Sequence, residues 1–174
     1  MSNSLKLDKS NSAMKSETIK IQEKIEEKQI NILETLKETK NLSNLIGNEL
    51  NSNTESFERI NDELDILGHN LKISEYLTKK FSSWFYFLTP TKTFEPYKKN
   101  KKNNKKTIFE ETQPDNNKSD FYDNVASYLD CLQKDSETFG KILKEQKESI
   151  DIIEKKAEKS DGKIKKTIHK VKNC

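Results

Sequence analysis

Along the last third of the chain, one series of residues recurs at alternating steps of three and four. It runs Tyr122, Val125, Leu129, Leu132, Ser136, Phe139, Leu143, Gln146, Ile150, Ile153, Ala157, Ser160, Ile164, Thr167, Val171 and Cys174. A strand would alternate by two and a loop would show no period, so residues 121–174 are predicted to form one long coiled-coil helix with a narrow apolar seam. Gln146 stands in the middle of that seam. A second series of the same kind runs from Gln22 to Phe81 through Ile25, Ile32, Leu36, Ile46, Leu50, Phe57, Ile60, Leu64, Leu67 and Leu71. Eleven of its 18 positions are aliphatic or aromatic, about twice the chain average, which marks it as a pattern rather than chance. Its other positions, Gln22, Gln29, Thr39, Ser43, Asn53, Ser74 and Thr78, would make a poor homodimeric zipper. The expected helix spans residues 17–81, with Ser16 or Glu17 near its cap, and residues 1–16 are expected to be a disordered tail.

The period is lost over residues 82–120, which hold all three prolines, Pro90, Pro96 and Pro114, and are expected to be a flexible linker. Trp84, Phe85 and Phe87 lie in an aromatic knot at its start. Lys98, Lys99, Lys101, Lys102, Lys105 and Lys106 form a basic cluster after it. Aromatics favour the headgroup boundary and lysines favour anionic lipid, so the pair fits a membrane-surface contact. Equally open is a plain reading in which the lysines keep the linker soluble and the aromatics cap the helix.

The two periodic segments repeat one another. Positions 57, 60, 64, 67, 71 and 74 recur as 150, 153, 157, 160, 164 and 167, an offset of 93 that also carries Asn53 onto Gln146. Because 93 is not a multiple of seven, the segments are two helices meant to lie side by side rather than one array. Each would be about 80 to 90 Å long, and the linker can stretch to roughly 130 Å, so a parallel arrangement is within reach. A relaxed linker of that length averages only about 35 Å end to end. An antiparallel hairpin would therefore be easier in the isolated chain, and partners would decide.

Composition narrows the picture. Only 31% of the residues are hydrophobic and 35% are charged, with a mean hydropathy of −0.98, so a thick self-sufficient core is not expected and the free chain should be weakly folded. Gly (4) and Pro (3) are too scarce for ordinary disorder, which favours long helices that fold on binding. The net charge of +3 points to no global nucleic-acid or membrane field. Cys131 and Cys174 make neither a disulfide framework nor a metal motif and suit a reducing compartment. The longest apolar run, residues 84–88, falls far short of the roughly 20 that span a bilayer.

With the motifs laid out, a family resemblance follows. Phe139-Gly140, Leu143, Glu145-Gln146, Ile150-Asp151, Ile153, Lys156-Ala157 and Ile164 resemble the second helical motif of a Qbc SNARE, the two-helix synaptosome-associated type used in membrane fusion. Phe57-Glu58-Arg59-Ile60, Asn61, Leu64, Leu71 and Ser74-Glu75 resemble its companion Qb motif. The resemblance covers residues 20–81 and 121–174. It implies an all-α protein whose two helices join a syntaxin-like Qa SNARE and a vesicle R-SNARE in a parallel four-helix bundle. The implied packing layers are Leu50, Phe57, Ile60, Leu64, Leu67, Leu71, Leu132, Phe139, Leu143, Ile150, Ile153, Ala157 and Ile164. Gln146 and Asn53 would form the central polar layer, where a buried amide oxygen accepts from a partner's arginine; Asn53 is one methylene shorter than the usual glutamine. The linker lacks the cysteine cluster of palmitoylated members, so the chain resembles the soluble ones, cytoplasmic and held at membranes through partners.

A structural or tethering coiled coil without fusion activity is the alternative from another class. RNA binding is more remote, because aromatics do not interleave the lysines. No enzyme is expected: the chain has no glycine-rich phosphate loop and no histidine pair at metal spacing, so no cofactor or metal is predicted. His69 and His169 are expected at the solvated surface.

Overall fold

The computed structural model describes residues 2–82, 92–98, 106–115 and 120–172, with side chains in the first helix given for residues 14–81. Among these residues the protein is all-helical, with helix α1 at Ser2–Ser82, helix α2 at Phe121–Lys172 and no strand. The inner ends fall within a residue of expectation, because the linker prolines cannot continue either helix. At the outer end, α1 starts at Ser2 instead of near Ser16, which corrects the expected disordered tail. No Gly or Pro precedes Gly47, so nothing in the sequence stops an established helix from propagating toward the amino terminus. No helix among the described residues is long and apolar enough to cross a membrane.

Two compact units divide the chain, one of Met1–Gly47 with Glu110–Ser136, the other of Asn48–Phe109 with Glu137–Cys174. In the second unit the helices run parallel: Gln146 meets Leu50 and Thr54, and further along Lys156 meets Asn61 and Asp65. The sequence separations, 91 to 96, bracket the repeat offset of 93 read from the pattern. The parallel arrangement thus forms within the lone chain, where an antiparallel hairpin was expected to be easier. This unit's core is small: Leu50, Ile142 and Phe109 are buried together, with Phe139 packed against them. In the first unit Asp135 meets Lys40 and Ser43 at separations of 95 and 92, and Tyr128 and Cys131 are buried nearby on α2.

The linker residues described are irregular, and several of them pack against the helices. In the second unit Phe94 sets its ring edge-on to Tyr76, with centroids 5.2 Å apart, and the Lys92 amide donates to the Tyr76 hydroxyl at 3.1 Å. Tyr97 lies 6.0 Å from His69, so His69 is half-buried rather than bare at the surface. Farther on, Lys106 pairs with Glu58, and Phe109 bonds Asn51. Linker number rises as the α1 partner number falls, so the segment retraces α1 toward its amino terminus, as a parallel pair requires.

Gly140 lies exposed in the middle of α2, and a methyl group built there meets nothing within 4 Å. Glycine inside a helix gives up more backbone entropy than alanine on folding. Gly140→Ala is therefore expected to stabilise the chain by about 0.5–1 kcal/mol, read as a higher urea midpoint at unchanged slope.

Candidate helix-docking site

In the second unit, α1 turns residues 50, 54, 57, 61, 64, 68 and 71 toward α2, which answers with 139, 142, 146, 149, 153, 156 and 160; all are buried or half-buried. Eight of these fourteen lie on the predicted seam and six lie one residue beside it. The physical reason is that a pair of helices shares a single line of contact, whereas a four-helix bundle turns the whole seam to its centre. Of the expected packing layers, Leu50 and Leu71 are buried, and Phe57, Leu64, Leu132, Phe139, Ile153 and Ile164 are half-buried. Ile60, Leu67, Leu143, Ile150 and Ala157, expected as layers of a bundle that partner helices complete, are exposed in the lone chain. Ile60 keeps 41% and Leu143 53% of their surface open, large values for aliphatic seam residues.

These exposed residues share one side of the pair. At about 100° per residue, Asn53, Ile60 and Leu67 stand roughly 80° round α1 from its contact line with α2. Leu143, Ile150 and Ala157 stand about as far round α2 from its own line, on the same side. The second unit thus carries a stripe of aliphatic residues from both helices that no other described residue covers.

Gln146 is 7% exposed and crosses to α1 at the start of that stripe. Its Nε2 donates to the Leu50 carbonyl at 2.8 Å and to Thr54 Oγ1 at 3.0 Å. The Thr54 hydroxyl in turn donates to the same carbonyl at 3.0 Å. That carbonyl can only accept, which orients the amide with its nitrogen toward α1. Among the described residues nothing donates to Gln146 Oε1, so the amide keeps an acceptor to offer. Asn53, expected to share the polar layer of the partnered bundle, is exposed in the lone chain, where Thr54 meets Gln146. Lys156 repeats the scheme one level on, with Nζ 2.8 Å from Asn61 Oδ1 and 2.5 Å from Asp65 Oδ1.

The first unit holds a polar group that sequence reasoning missed. Asp135, 1% exposed, accepts from Lys40 Nζ at 2.6 Å and Ser43 Oγ at 2.5 Å on one oxygen, and from Thr112 Oγ1 at 2.9 Å on the other. Lys40 also donates to Asn44 Oδ1 at 2.6 Å. Burial pushes the Asp135 carboxyl upward, but the hydrogen bonds from Lys40, Ser43 and Thr112 and the Lys40 charge outweigh it and hold it below the ordinary 3.8. The sequence signal for this group was available: Lys40 and Asp135 are opposite charges separated by nearly the repeat offset.

Of the proposed membrane-contact residues, Lys98 is exposed and lies 3.4 Å from Glu95, while Lys106 is half-buried against Glu58. Trp84, Phe85, Phe87, Lys99, Lys101, Lys102 and Lys105 lie outside the described residues, as does Cys174. Among the described residues no group of His, Cys, Asp and Glu could hold a metal ion. Compared with known protein families, curated protein sequences and solved structures, the chain matches none.

Asp135→Ala should cost about 3–5 kcal/mol in urea unfolding, since it takes the carboxylate from the buried Lys40 charge. A carboxyl whose folded pKa is depressed contributes stability above its unfolded value and loses it as pH falls through the folded one. The melting temperatures of the native chain and Asp135→Asn should therefore differ at pH 6 and draw together only as the pH falls well below the ordinary 3.8. Gln146→Ala should cost about 1–2 kcal/mol through its two lost bonds, whereas exposed Asn53→Ala should be near neutral in the free chain, and a melting series compares them directly.

Proposed function

We propose that this chain is a SNARE protein of the Qbc type, supplying both of its helices to a parallel four-helix coiled-coil bundle that brings a vesicle and its target membrane together for fusion. The two remaining places belong to a syntaxin-like Qa helix and a vesicle R helix. The observation that carries the proposal is the uncovered stripe: Ile60, Leu67, Leu143 and Ile150 expose aliphatic surface on one side of a parallel pair whose register is already set. Burying an Ile or Leu side chain contributes about 1.5–3 kcal/mol, so covering the stripe with two further helices supplies a strong drive for assembly. On this reading the chain works by assembly rather than catalysis, and membrane association comes through its partners and the linker lysines.

The polar layer adds direction. Gln146 Oε1 is an acceptor awaiting a donor, and a guanidinium from a partner helix matches it. A second copy of the chain is poorly suited to that place. Its single arginine, Arg59, lies off the seam and donates to Ser56 at 3.3 Å. Pairing between copies would bury amide oxygens without the missing donor, which favours unlike partners over a homotypic tether.

Light scattering of the chain mixed with Qa and R helices, the R helix carrying arginine at the level of Gln146, is expected to give a complex of one copy each. Ile60→Glu and Ile150→Glu should each weaken it by at least about 30-fold while leaving the free chain's melting nearly unchanged, because both side chains are already exposed there. A chain that ignores both helices, or that dimerises through the same stripe with equal sensitivity to these substitutions, would favour the tethering alternative.

A further inference from the structure

We propose that residues 106–109 are a staple that fixes the parallel register of α1 and α2 before any partner arrives. A parallel pair needs something of this kind. Its linker must run the length of the helices, which a relaxed chain resists, and an apolar contact alone would not choose between neighbouring registers.

The segment grips both helices within four residues. On α1, Asn51 holds the backbone of Phe109 from two sides: its Oδ1 accepts the Phe109 amide at 2.9 Å and its Nδ2 donates to the Phe109 carbonyl at 3.0 Å. On α2, Glu145 takes the Thr107 amide at 3.1 Å on one oxygen and the Thr107 hydroxyl at 2.6 Å on the other. Lys106 adds a charge pair to Glu58 of α1. Between the two grips the Phe109 ring, 4% exposed, fills the angle between the helices and lies 5.3 Å from the Phe139 ring.

Asn51 and Glu145 stand at the same level as Gln146, so the staple and the polar layer select one register. Slipping either helix by one turn moves a grip by about 5.4 Å, beyond hydrogen-bonding range. The staple also lies on the far side of the pair from the uncovered stripe. Asn51 is about 80° round α1 from the contact line in one direction and Ile60 about 80° in the other. It therefore sets the register without occupying the stripe, and it is a property of the lone chain, whatever covers that stripe.

Lys156 and Asp65, 2.5 Å apart and fourteen residues along α1 from Asn51, report the register, because a carbodiimide joins them by a zero-length amide that peptide mass mapping detects. In the full chain Asn51→Ala should lower the yield of that cross-link by about threefold to tenfold, the scale of losing two hydrogen bonds. Alanine is the better helix former, so helix propensity alone predicts the opposite, a retained cross-link and a higher melting temperature. Phe109→Ser, outside both helices, should lower the yield similarly without touching helix propensity. An unchanged cross-link in Asn51→Ala overturns the staple, and that result would leave the assembly of the chain with Qa and R helices to be judged by its own light-scattering test.

Discussion

A glutamine amide buried between two helices must find partners at one level only, and that requirement organises the second unit. Leu50 and Thr54 lie one turn apart on α1, and Gln146 bonds both. Lys156 does the same between Asn61 and Asp65. Leucines and isoleucines could pack in neighbouring registers at little difference in cost. An unpaired buried amide could not, since losing its partners leaves a desolvated polar group unsatisfied. In the first unit Asp135, Lys40 and Ser43 apply the same rule with charge added. Such groups contribute little net stability compared with apolar replacements, so their value lies in excluding other alignments.

The offset of 93 was legible because duplication leaves a periodic trace, and it corresponds to the spacing at which the helices meet. The inner helix limits were legible because the period is lost in a linker that holds all three prolines, whereas nothing in the sequence marked the amino-terminal start of α1 at Ser2. The orientation of the contact was legible only in part. A series of three and four steps defines a stripe, and two helices bury one flank of it, residues 54, 61 and 68 of α1 rather than 53, 60 and 67. Sequence alone does not give the number of helices that will share the stripe, and that number decides which flank is covered. Asp135 and Lys40 were missed because charged residues beside a seam are ordinarily solvated. Phe109 was missed because a polar linker was read as uniformly free, although Ile108-Phe109 is the only pair of adjacent aliphatic or aromatic residues between positions 98 and 120.

The flank turned inward is the less apolar one. Thr54 and Asn61 face α2, while Ile60 and Leu67 face away. A chain that completed its own core would be expected to make the reverse choice, since each buried aliphatic side chain outweighs a small polar one. The inward residues instead supply what the pair needs, acceptors for Gln146 and Lys156. The aliphatic residues are left uncovered in the lone chain, and on the proposed SNARE reading they are the half of the bundle core that this chain would contribute.

Preformed pairing changes the energetics of such an assembly. Two helices that order only on binding would spend part of the interaction energy on their own ordering, about 2–5 kcal/mol for a segment of this kind. A parallel pair held in register by buried polar groups and the returning linker has met that cost before encounter. On the proposed reading, partners would meet a stripe already aligned, and affinity would rise by the share of the population that was otherwise misaligned. The small core sets the limit on this advantage. Leu50, Phe109 and Ile142 are few residues to hold two long helices, so the free pair opens at modest cost at its ends and closes fully only when the exposed isoleucines and leucines are covered.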